Sequence, residues 1–551
     1  MLNQNSNDSS KIVQASQPVT NSGSLNGIVR GVNEDYLTKN PNLPEPEEIE
    51  HDILGMLRNE IMFHNSMAVP GTKYKIPETL PNISIEEVMQ KKYRFVNIFF
   101  DGMKESDCGL LAIYMESGER AGTYSYDMDI IRREILRFNN SITKRGMDEV
   151  IHLIKLKAPK VYPCSEKNLV PVNNGIFDFD TKTLLPFTPD KIFLSKVRVD
   201  YNPFAKNMFI HNNDDGTDWD VESWILDIMD DKPDMAELIW QVIGAIIRSN
   251  VKWGCACFMY SETGNNGKGT LCSLMRNLVG EGSYTSITLA DFGKDFMLEP
   301  LIHSTAVIVD ENDVGTYLDK VGNLKAVITG DVVQINRKFK QPISFKFNGF
   351  MVQCLNELPR VKDKSDSFYR RQLFIPFTKC FTGAERKYIK QDYLKRTEVL
   401  EYVLYRVLHM DYEEFTVPEE CKNALEEYKE FNDPVRQFMD EIMEQLQWDL
   451  VPFTFLYDLY KAWHAKSYPS GSIQGKNTFI KDVLNLIRES DTWYCNNKST
   501  KIRPEHRMDK PEPLIWDYKL EDWYNPNYKG NDVNKLCMPA LKANYTGILR
   551  K

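Results

Sequence analysis

The chain has 551 residues, of which 42% are hydrophobic and 26% charged, and its formal net charge is −10. This composition predicts a globular protein of several domains of about 150 residues each, and the acidic total does not favour nonspecific binding of the whole molecule to nucleic acid. No run approaches the roughly 20 apolar residues that cross a bilayer, and the ten cysteines include no C-x-x-C pair, so we expect a cytoplasmic protein with no membrane partner.

The first 250 residues divide into three segments. Residues 1–45 are rich in Asn, Ser and Gln and then in Pro and acidic residues, which predicts a disordered tail. Residues 46–205 combine strand-like runs ("YRFVNIFFDGM", "GLLAIYME"), the helical spacing of "DMDIIRREILRFNNSI" and two short strands in "LVPVNNGIFDFDTKTLLPF", which predicts a mixed α/β N-terminal domain. Residues 206–250 contain two predicted helices, interpreted as a helical collar.

A candidate phosphate-binding loop follows in "FMYSETGNNGKGTLCSLMRNLVG", residues 258–280. An apolar strand is predicted before it and an amphipathic helix after it, so backbone N–H groups and the helix dipole favour a phosphate there. The usual pattern G-x-x-x-x-G-K-[ST] is broken twice, because Glu262 replaces the first glycine and Gly269 replaces the metal-binding hydroxyl residue. A glycine–asparagine loop without function is the alternative. The candidate nucleotide-binding residues are Gly264, Asn265, Asn266, Gly267, Lys268, Gly269 and Thr270.

Polar residues end the next two predicted strands. "TAVIV" leads into Asp310 and Glu311, and "FMVQCL" leads into Asn356. Asp310 is placed to hold Mg²⁺ directly or through water, and Glu311 to polarise an attacking water. Asn356 can orient the same water beside the γ-phosphate. Each strand end is common alone, but together they predict a nucleotide-hydrolysing site.

The order of "GNNGKGT", "VIVDEND", "LKAVITGDVVQINRKFKQPISF" and "CLNELPRVKDKSDSFYRRQLFIPF" resembles the superfamily 3 helicases. The resemblance is to their poxvirus-type and phage/plasmid primase C-terminal branch among the AAA+ ATPases, and within it to replication helicases of staphylococcal cassettes and pathogenicity islands. It implies an α/β fold with an AAA+ P-loop helicase core at 251–390 and a helical linker at 391–433. Three predicted helices followed by a strand and a basic turn suggest a winged-helix-like DNA-binding domain at 434–551, with a small helical lid as the alternative.

The resemblance also implies roles for single residues. Lys268 and Thr270 match Walker A, Asp310 and Glu311 match Walker B, and Asn356 matches sensor 1. Asp310 and Thr270 are the candidate metal ligands. Because Gly269 leaves the metal one protein ligand short, water is expected to fill that place. The arginine that completes a neighbouring subunit's site is expected to be Arg371 or Arg370, with Arg360 in reserve.

Two basic segments are candidate DNA contacts. Residues 331–346 would form a hairpin that carries Arg337, Lys338 and Lys340 around Phe339. Basic side chains there would track phosphates, and a solvated basic turn is the alternative. In the C-terminal domain, Lys476 and Lys481 lie on a predicted helix over 475–490.

These features lead us to expect a replicative DNA helicase of a mobile genetic element, driven by ATP with Mg²⁺ and moving 3′ to 5′ as the family does. The expected partners are single-stranded and forked DNA, with an origin duplex as a further candidate, and further copies of the chain in a homo-oligomer, expected to be a hexamer. The alternatives are a bifunctional primase–helicase and an origin-binding initiator whose ATPase serves assembly only.

Overall fold

The computed structural model describes residues 24–69, 71–103, 109–338, 340–382, 386–467 and 473–551. The described N-terminal elements are α1 (Leu25–Lys39), α2 (Pro46–Met67), α3 (Asn82–Lys92), β1 (Phe95–Ile98), β2 (Leu110–Tyr114), β3 (Tyr124–Ser125), α4 (Met128–Phe138), α5 (Lys144–Lys157) and β4 (Lys160–Val161). The strands form one sheet in the order β3-β2-β1-β4, with β1 antiparallel to β2 and parallel to β4. The helices bury their apolar faces in a shared core. This part of the chain therefore combines a mixed sheet with helices.

The prediction of a disordered tail over 1–45 is wrong for residues 24–45, whereas 1–23 lie outside the described residues. Helix α1 begins after Ser24, whose hydroxyl accepts a hydrogen bond from Gly27 N at 3.2 Å. Val29, Val32 and Tyr36 are buried in the N-terminal core. These apolar residues recur at helical spacing, but they are few, and the polar composition around them outweighed the spacing in the prediction.

Two small sheets and two helices come next. The elements are β5 (Leu169–Val172), β6 (Gly175–Asp178), β7 (Thr183–Leu185), β8 (Ile210–His211), β9 (Asp218–Trp219), α6 (Val221–Ile228) and α7 (Pro233–Ile247). The predicted hairpin is present as β5 and β6, with β7 added antiparallel to β6. The helical collar is helical only from 221, since β8 and β9 form a short antiparallel hairpin before it.

The central part is built on a parallel sheet. Its elements are β10 (Ala256–Tyr260), α8 (Lys268–Val279), β11 (Tyr284–Thr285), β12 (Ala306–Val309), β13 (Tyr317–Leu318), α9 (Gly322–Thr329), β14 (Val332–Arg337), β15 (Lys340–Lys346), β16 (Phe350–Leu355), β17 (Arg360–Val361), α10 (Asp366–Tyr369) and β18 (Gln372–Pro376). The five-stranded sheet has the order β11-β12-β16-β10-β18, and all its pairs are parallel. The first strand of this sheet in chain order, β10, therefore lies between β16 and β18, which are the last two. In open α/β sheets, such a change of strand order is where ligands bind, outside the carboxyl ends of the strands.

Both faces of this sheet are covered, which explains why its strands are continuous apolar runs. Cys257 and Met259 point into one core, and Ala256 and Phe258 point into the other. The following helices are α11 (Lys387–Gln391), α12 (Thr397–Leu408) and α13 (Glu419–Phe431). α12 packs on α7 and α8, and α13 packs on β18. The segment 391–433, predicted to be a helical linker, therefore contributes helices to the layers that cover the sheet.

The last helix of this part is tied to the end of β16. Tyr428 donates from its hydroxyl to Pro359 O at 2.9 Å. Asn432, which follows α13, accepts from Val361 N at 3.0 Å through its side-chain oxygen. Asn432 is buried, so the C-terminal end of α13 is held against the loop that follows Asn356.

The C-terminal part has a hydrophobic core of its own. Its elements are α14 (Pro434–Ile442), β19 (Leu450–Pro452), α15 (Phe453–Ser467), α16 (Lys476–Leu486), β20 (Trp493–Tyr494), α17 (Leu514–Asp517), α18 (Val533–Leu536) and β21 (Gly547–Arg550). The strands form an antiparallel sheet in the order β19-β21-β20. The three predicted helices are present, with a strand between the first two. In the part of the chain that the structure describes, no helix is long and apolar enough to span a membrane.

Candidate functional site

The glycine–asparagine loop joins the carboxyl end of β10 to the start of α8, as the apolar run and the helical spacing predict. Gly267 precedes α8 with φ at 87°, and Asn265 has φ at 56°. A Cβ atom at Gly267 would lie 3.0 Å from Ile228 Cγ2. Both the positive φ and this close approach favour glycine there. The loop therefore presents backbone N–H groups at a helix N-terminus, which suits an anion.

Lys268 is the first residue of α8, and only 4% of it is exposed. Its ammonium group donates to Ser261 O at 3.2 Å and to Leu355 O at 3.1 Å. These carbonyls end β10 and β16, so the lysine joins two strands at the edge where the sheet changes order. Burial lowers the pKa of Lys268.

The two departures from the usual loop pattern are tolerated by the backbone. Glu262 is not among the described residues with positive φ, so the missing glycine is not required there, and its carboxylate accepts from the Tyr260 hydroxyl at 2.8 Å. Gly269 lies within α8, and a Cβ atom there would meet nothing within 4 Å. A serine at 269 is therefore compatible with the helix. Thr270, the other candidate metal ligand, is half-buried in the next position.

Asp310 follows β12 directly, but its carboxylate is already paired. Arg276 of α8 donates from two guanidinium nitrogens to the two carboxylate oxygens, at 3.0 and 2.8 Å. The hydrogen bonds from Arg276 are the main reason that the pKa of Asp310 lies below its usual value. Direct ligation of Mg²⁺ would compete with this guanidinium, so the pair favours contact through water.

Glu311 and Asn356 are both exposed and follow neighbouring strands of the sheet. Since β12 and β16 are parallel and adjacent, these side chains leave the sheet at the same edge as Lys268. The residues predicted as Walker A, Walker B and sensor therefore share the carboxyl edge of the sheet. Their catalytic roles stay predictions.

Two residues that sequence reasoning missed fix this edge. Asn312 is buried and donates to Gln353 Oε1 at 2.9 Å and to Cys354 O at 3.0 Å, while its own side-chain oxygen accepts from Leu289 N. Gln353 donates in turn to Ile287 O at 3.0 Å. A polar residue in the middle of the apolar run "FMVQCL" was the available signal, because a buried amide must find partners.

The three candidate arginines lie in different places. Arg370 and Arg371 precede β18, and Ala256 N at the start of β10 donates to Arg371 O at 2.9 Å. They are therefore at the amino edge of the sheet, opposite Lys268. Arg371 donates to Ser367 Oγ at 2.7 Å, whereas Arg370 is exposed. Arg360 is in β17, with its guanidinium 5.8 Å from the Phe431 ring centroid.

The predicted hairpin is present as β14 and β15, antiparallel over 332–346. Val333, Ile335, Ile343 and Phe345 are buried in the core on one face of the central sheet and anchor it. Lys338 and Lys340 are exposed at the tip. The guanidinium of Arg337 donates to Gln341 O at 2.8 and 3.1 Å, and Phe339 lies outside the described residues.

In the C-terminal domain, α16 begins at the half-buried Lys476 and exposes Lys481. The loop after β20 adds three exposed basic residues, which are Lys498, Lys501 and Arg503. These side chains are available to a charged partner, and their role in DNA binding stays a prediction.

A cavity of about 930 Å³ opens beside the loop. Asn265, Gly267 and Thr270 line it on the loop side, with Trp224 and Phe381 among the aromatic residues of its wall. Phe381 N donates to Asn265 O at 2.9 Å, which joins the wall to the loop. The volume is within the range of small-molecule sites. Lys268, Asp310 and Glu311 are not in the lining of this cavity, but they lie at the same carboxyl edge of the sheet. A buried ammonium, a helix N-terminus and these two acids fit a nucleoside polyphosphate with Mg²⁺.

The structure thus defines an α/β protein. It has a parallel sheet, a glycine-rich loop where the strand order changes, and a basic hairpin. Three family models match separate segments of it. "Family of unknown function (DUF5906)" matches residues 259–371, "Poxvirus D5 protein-like" matches residues 430–525, and "D5 N terminal like" matches residues 126–230. D5-type segments therefore precede and follow the sheet, which supports a relationship to D5-type helicase–primases.

Individual relatives are distant. L207/L206 of Acanthamoeba polyphaga mimivirus, a protein named provisionally as a helicase, is 25% identical over 270 residues, which cover 46% of this chain and 26% of the relative. This chain thus spans about a quarter of that protein. Two structures of the NrS-1 C-terminal region are each 16% identical, with TM-scores of 0.39 and 0.41, and cover 74% and 77% of this chain and 86% and 96% of theirs. Likenesses at these TM-scores carry no conclusion on fold or function.

Proposed function

We propose that this chain is an ATP-driven, ring-forming DNA helicase that serves replication of a mobile genetic element, with a superfamily 3 AAA+ core. The observation that carries the proposal is Lys268, buried at the start of α8 between the ends of β10 and β16. A buried ammonium at a helix N-terminus favours the phosphates of a nucleotide. The D5-type segments on both sides of the sheet support the same class.

The residues of the loop would divide the work of binding. Backbone N–H groups of 264–268 would hold phosphate oxygens, and Lys268 would exchange its two carbonyl partners for the β- and γ-phosphates. Asp310 would hold Mg²⁺ through water because Arg276 keeps both of its oxygens, and water would fill the place that Gly269 leaves open. Thr270 is the alternative, as a direct ligand. The bound Mg²⁺ would neutralise charge that develops on the phosphates.

Glu311 and Asn356 would act on the attacking water. Both are exposed at the edge that carries Lys268, where a carboxylate can accept a proton and an amide can orient the water molecule. The amide network of Asn312 and Gln353 holds the two strand ends in register, so a correct distance between the two groups would be built into the sheet.

Oligomerisation is proposed because the two arginines before β18 cannot reach the loop of their own sheet. Arg370 and Arg371 occupy the opposite edge. In a closed ring, that edge of one subunit can face the nucleotide of its neighbour, where an arginine stabilises transition-state charge. Hydrolysis would then be coupled between subunits, and the hairpin tips would grip one DNA strand.

The C-terminal domain is proposed to be a winged-helix-like module. Its helices α14, α15 and α16 and its antiparallel sheet support this assignment, as do the basic residues of α16 and of the loop after β20. α16 would enter the major groove of a duplex, and the basic loop would serve as the wing.

Strand displacement on a forked duplex tests the proposal. The parent chain is expected to separate a labelled strand only with ATP and Mg²⁺, and Lys268→Ala is expected to reduce both displacement and hydrolysis to background, because the charge on the phosphates is lost. Glu311→Gln should retain ATP binding without turnover. An ATPase that displaces no strand would support the initiator alternative, and primer synthesis from nucleotides would support a primase–helicase.

A further inference from the structure

A second cavity, of about 430 Å³, lies where the N-terminal domain meets the central part of the chain. Most of its wall is formed by Arg120, residues 123–129, residues 194–196, Arg198 and residues 282–283. The hairpin tip contributes Lys340, and His303 completes the wall. Neither the loop nor the residues predicted for hydrolysis take part in it.

The wall is rich in cations. It contains Arg120, Lys196, Arg198 and Lys340, against the carboxylates Asp127 and Asp129. Asp129 pairs with Arg132 at 3.1 Å and Arg198 pairs with Glu119 at 3.7 Å, which leaves Arg120, Lys196 and Lys340 against Asp127. The unbalanced charge of the wall is therefore positive.

Lys196 is the least expected member of this wall. Only 3% of it is exposed, and its ammonium donates to Asn173 O at 3.2 Å. Within the described ranges, no carboxylate forms an ion pair with it. A buried ammonium without an ionic partner is unfavourable for folding, and here only one hydrogen bond and the Phe187 ring, 5.2 Å from the ammonium, offset that cost.

The arginines leave hydrogen-bonding capacity in the same place. Arg198 donates to Glu119 O at 2.6 Å, but its buried Nε has no hydrogen-bond partner among the residues described. Arg120 donates to Ser125 Oγ at 2.9 Å. Hydroxyl groups of Thr123, Tyr126 and Ser283 also line the cavity. Thr123 and Ser283 already donate to Arg120 O and Lys196 O, and Tyr126 is bonded to His303, so the guanidinium groups are the donors that suit the oxygens of a phosphate group.

We propose that this cavity is a second anion site, which binds a phosphate of the nucleic-acid strand that passes the hairpin tip. Lys340 belongs both to the tip and to the cavity wall, so a strand gripped by the tip would have a phosphate within reach. The choice of nucleic acid rests on the proposed function, whereas the affinity for phosphate rests on the cavity alone. Two phosphate contacts in one subunit would then hold the strand on either side of the tip.

The test is a titration of the full chain with a labelled oligodeoxythymidylate, without nucleotide and over a range of salt concentrations. Arg120→Gln and Lys196→Met should each weaken binding severalfold and reduce the slope of log K against log salt by about 0.7, the value for one phosphate contact on a single strand. Lys206→Met is the matched control, since Lys206 is exposed and lies outside the cavity. Basal ATP hydrolysis should not change in any of the three.

Thermal unfolding distinguishes a binding role from a structural one. Because Lys196 is buried without an ionic partner, Lys196→Met should melt at the parental temperature or above it while DNA binding weakens. If Lys196→Met fails to fold, the DNA affinity of Arg120→Gln still tests the inference, because Arg120 is exposed. Affinity and salt slope equal to those of Lys206→Met would overturn the inference.

Two further results separate this inference from the proposed function. If Lys338→Ala weakens DNA binding and the cavity variants do not, the inference fails and the helicase proposal stands. If the parent binds no oligonucleotide, the helicase proposal fails. Thermal unfolding of Lys268→Ala with and without inorganic phosphate then tests whether the cavity binds phosphate. If phosphate stabilises the protein and the effect requires Arg120, the cavity is a phosphate site whose ligand is a free phosphate compound and not nucleic acid. If phosphate does not stabilise the protein, the proposed site is wrong.

Discussion

Arg276 and Asp310 form a bidentate ion pair at the carboxyl edge of the sheet. This pair would limit how Asp310 could coordinate a metal. Arg276 lies on α8, which starts at Lys268. Asp310 follows β12, which is two strands away from β10 in the sheet. The guanidinium occupies the oxygens that a metal would need. The missing hydroxyl at Gly269 and the paired Asp310 thus point the same way: a metal bound at this loop, as we propose, would be held mainly by water.

The first prediction concerns this metal. Gly269→Ser should lower the Mg²⁺ concentration for half-maximal ATP hydrolysis, by about tenfold if the new ligand contributes about 1.4 kcal/mol. The helical backbone at 269 and the open space around it accept the side chain. A Mg²⁺ titration of the parent, Gly269→Ser and Thr270→Ala measures this. If Thr270→Ala raises the Mg²⁺ requirement and Gly269→Ser does not change it, then Thr270 is the metal ligand. The hypothesis of a metal held mainly by water would then be wrong.

The second prediction concerns a buried acid of the C-terminal domain. Glu512 is fully buried, accepts from Gln447 N at 2.8 Å, and has its other oxygen without a hydrogen-bond partner in the described structure. Burial raises the pKa of Glu512 to about 7 from the usual 4.5. Because the folded-state pKa is the higher one, its stabilising contribution is fully present below pH 4.5 and is lost as the pH rises through about 7.

Glu512→Gln should therefore remove this dependence. The free energy of unfolding of the variant should exceed that of the parent at pH 8 by an amount on the order of 3 kcal/mol, and the difference should shrink towards pH 5. Denaturant unfolding followed by the fluorescence of the C-terminal tryptophans measures it. A difference that stays constant from pH 5 to pH 8 would show that Glu512 does not titrate in this range.

At this scale, the sequence predicted the positions of residues better than their partners. Asp310 and Asn356 were found because each follows an apolar run, and Lys268 because it lies in a glycine-rich loop between a predicted strand and a predicted helix. Chain order alone gives all three positions. The pairing of Arg276 with Asp310 and the buried contacts of Asn312 depend on which strands are neighbours. Neighbouring strands here are far apart in the chain, so local patterns carry no information about these contacts.

Among the elements, the hairpin β14–β15 carries the clearest division between anchoring and exposed residues. Its buried side chains belong to the core on one face of the sheet, whereas Lys338 is exposed at the tip. The third prediction is that Lys338→Ala leaves basal ATP hydrolysis near the parental rate and abolishes strand displacement. The salt slope of single-strand binding should fall by about 0.7. Normal unwinding by this variant would exclude the hairpin as the DNA grip.

Elements with strong periodicity were predicted, and those defined by packing were not. β10, α8 and the hairpin follow from apolar runs and helical spacing. Helix α1 was missed because only a few apolar residues anchor it among polar ones. The helices of segment 391–433 follow from local spacing, but their place on the two faces of the sheet follows from tertiary contacts that no local pattern shows.

For the whole molecule, the fourth prediction tests assembly. Arg371→Ala, or Arg370→Ala if Arg371 is not the residue, should keep nucleotide affinity and lose about 10³-fold or more in turnover, the usual effect of such an arginine. Mixing it with Lys268→Ala should restore part of the activity, because some interfaces then combine an intact loop with an intact arginine. No recovery at any mixing ratio would contradict action between subunits.

The fifth prediction concerns the C-terminal domain, whose separate core makes removal of 434–551 feasible. The shortened chain should retain ATP hydrolysis and bind duplex DNA more weakly, since the basic residues of α16 and the following loop are lost. Duplex affinity measured with the full chain at equal salt is the control. Equal affinities would support the helical lid in place of a duplex-binding module.

The attachment of α13 has a mechanical consequence. Its 13 residues span about 20 Å, one end is bonded to the loop after Asn356 through Tyr428 and Asn432, and α14 begins two residues further on. Asp433 caps α14, accepting from Val435 N and Arg436 N, so little slack remains between the helices. A displacement of the loop after Asn356 would therefore be passed through this pair of hydrogen bonds to the start of the C-terminal domain, so the loop and that domain are mechanically coupled.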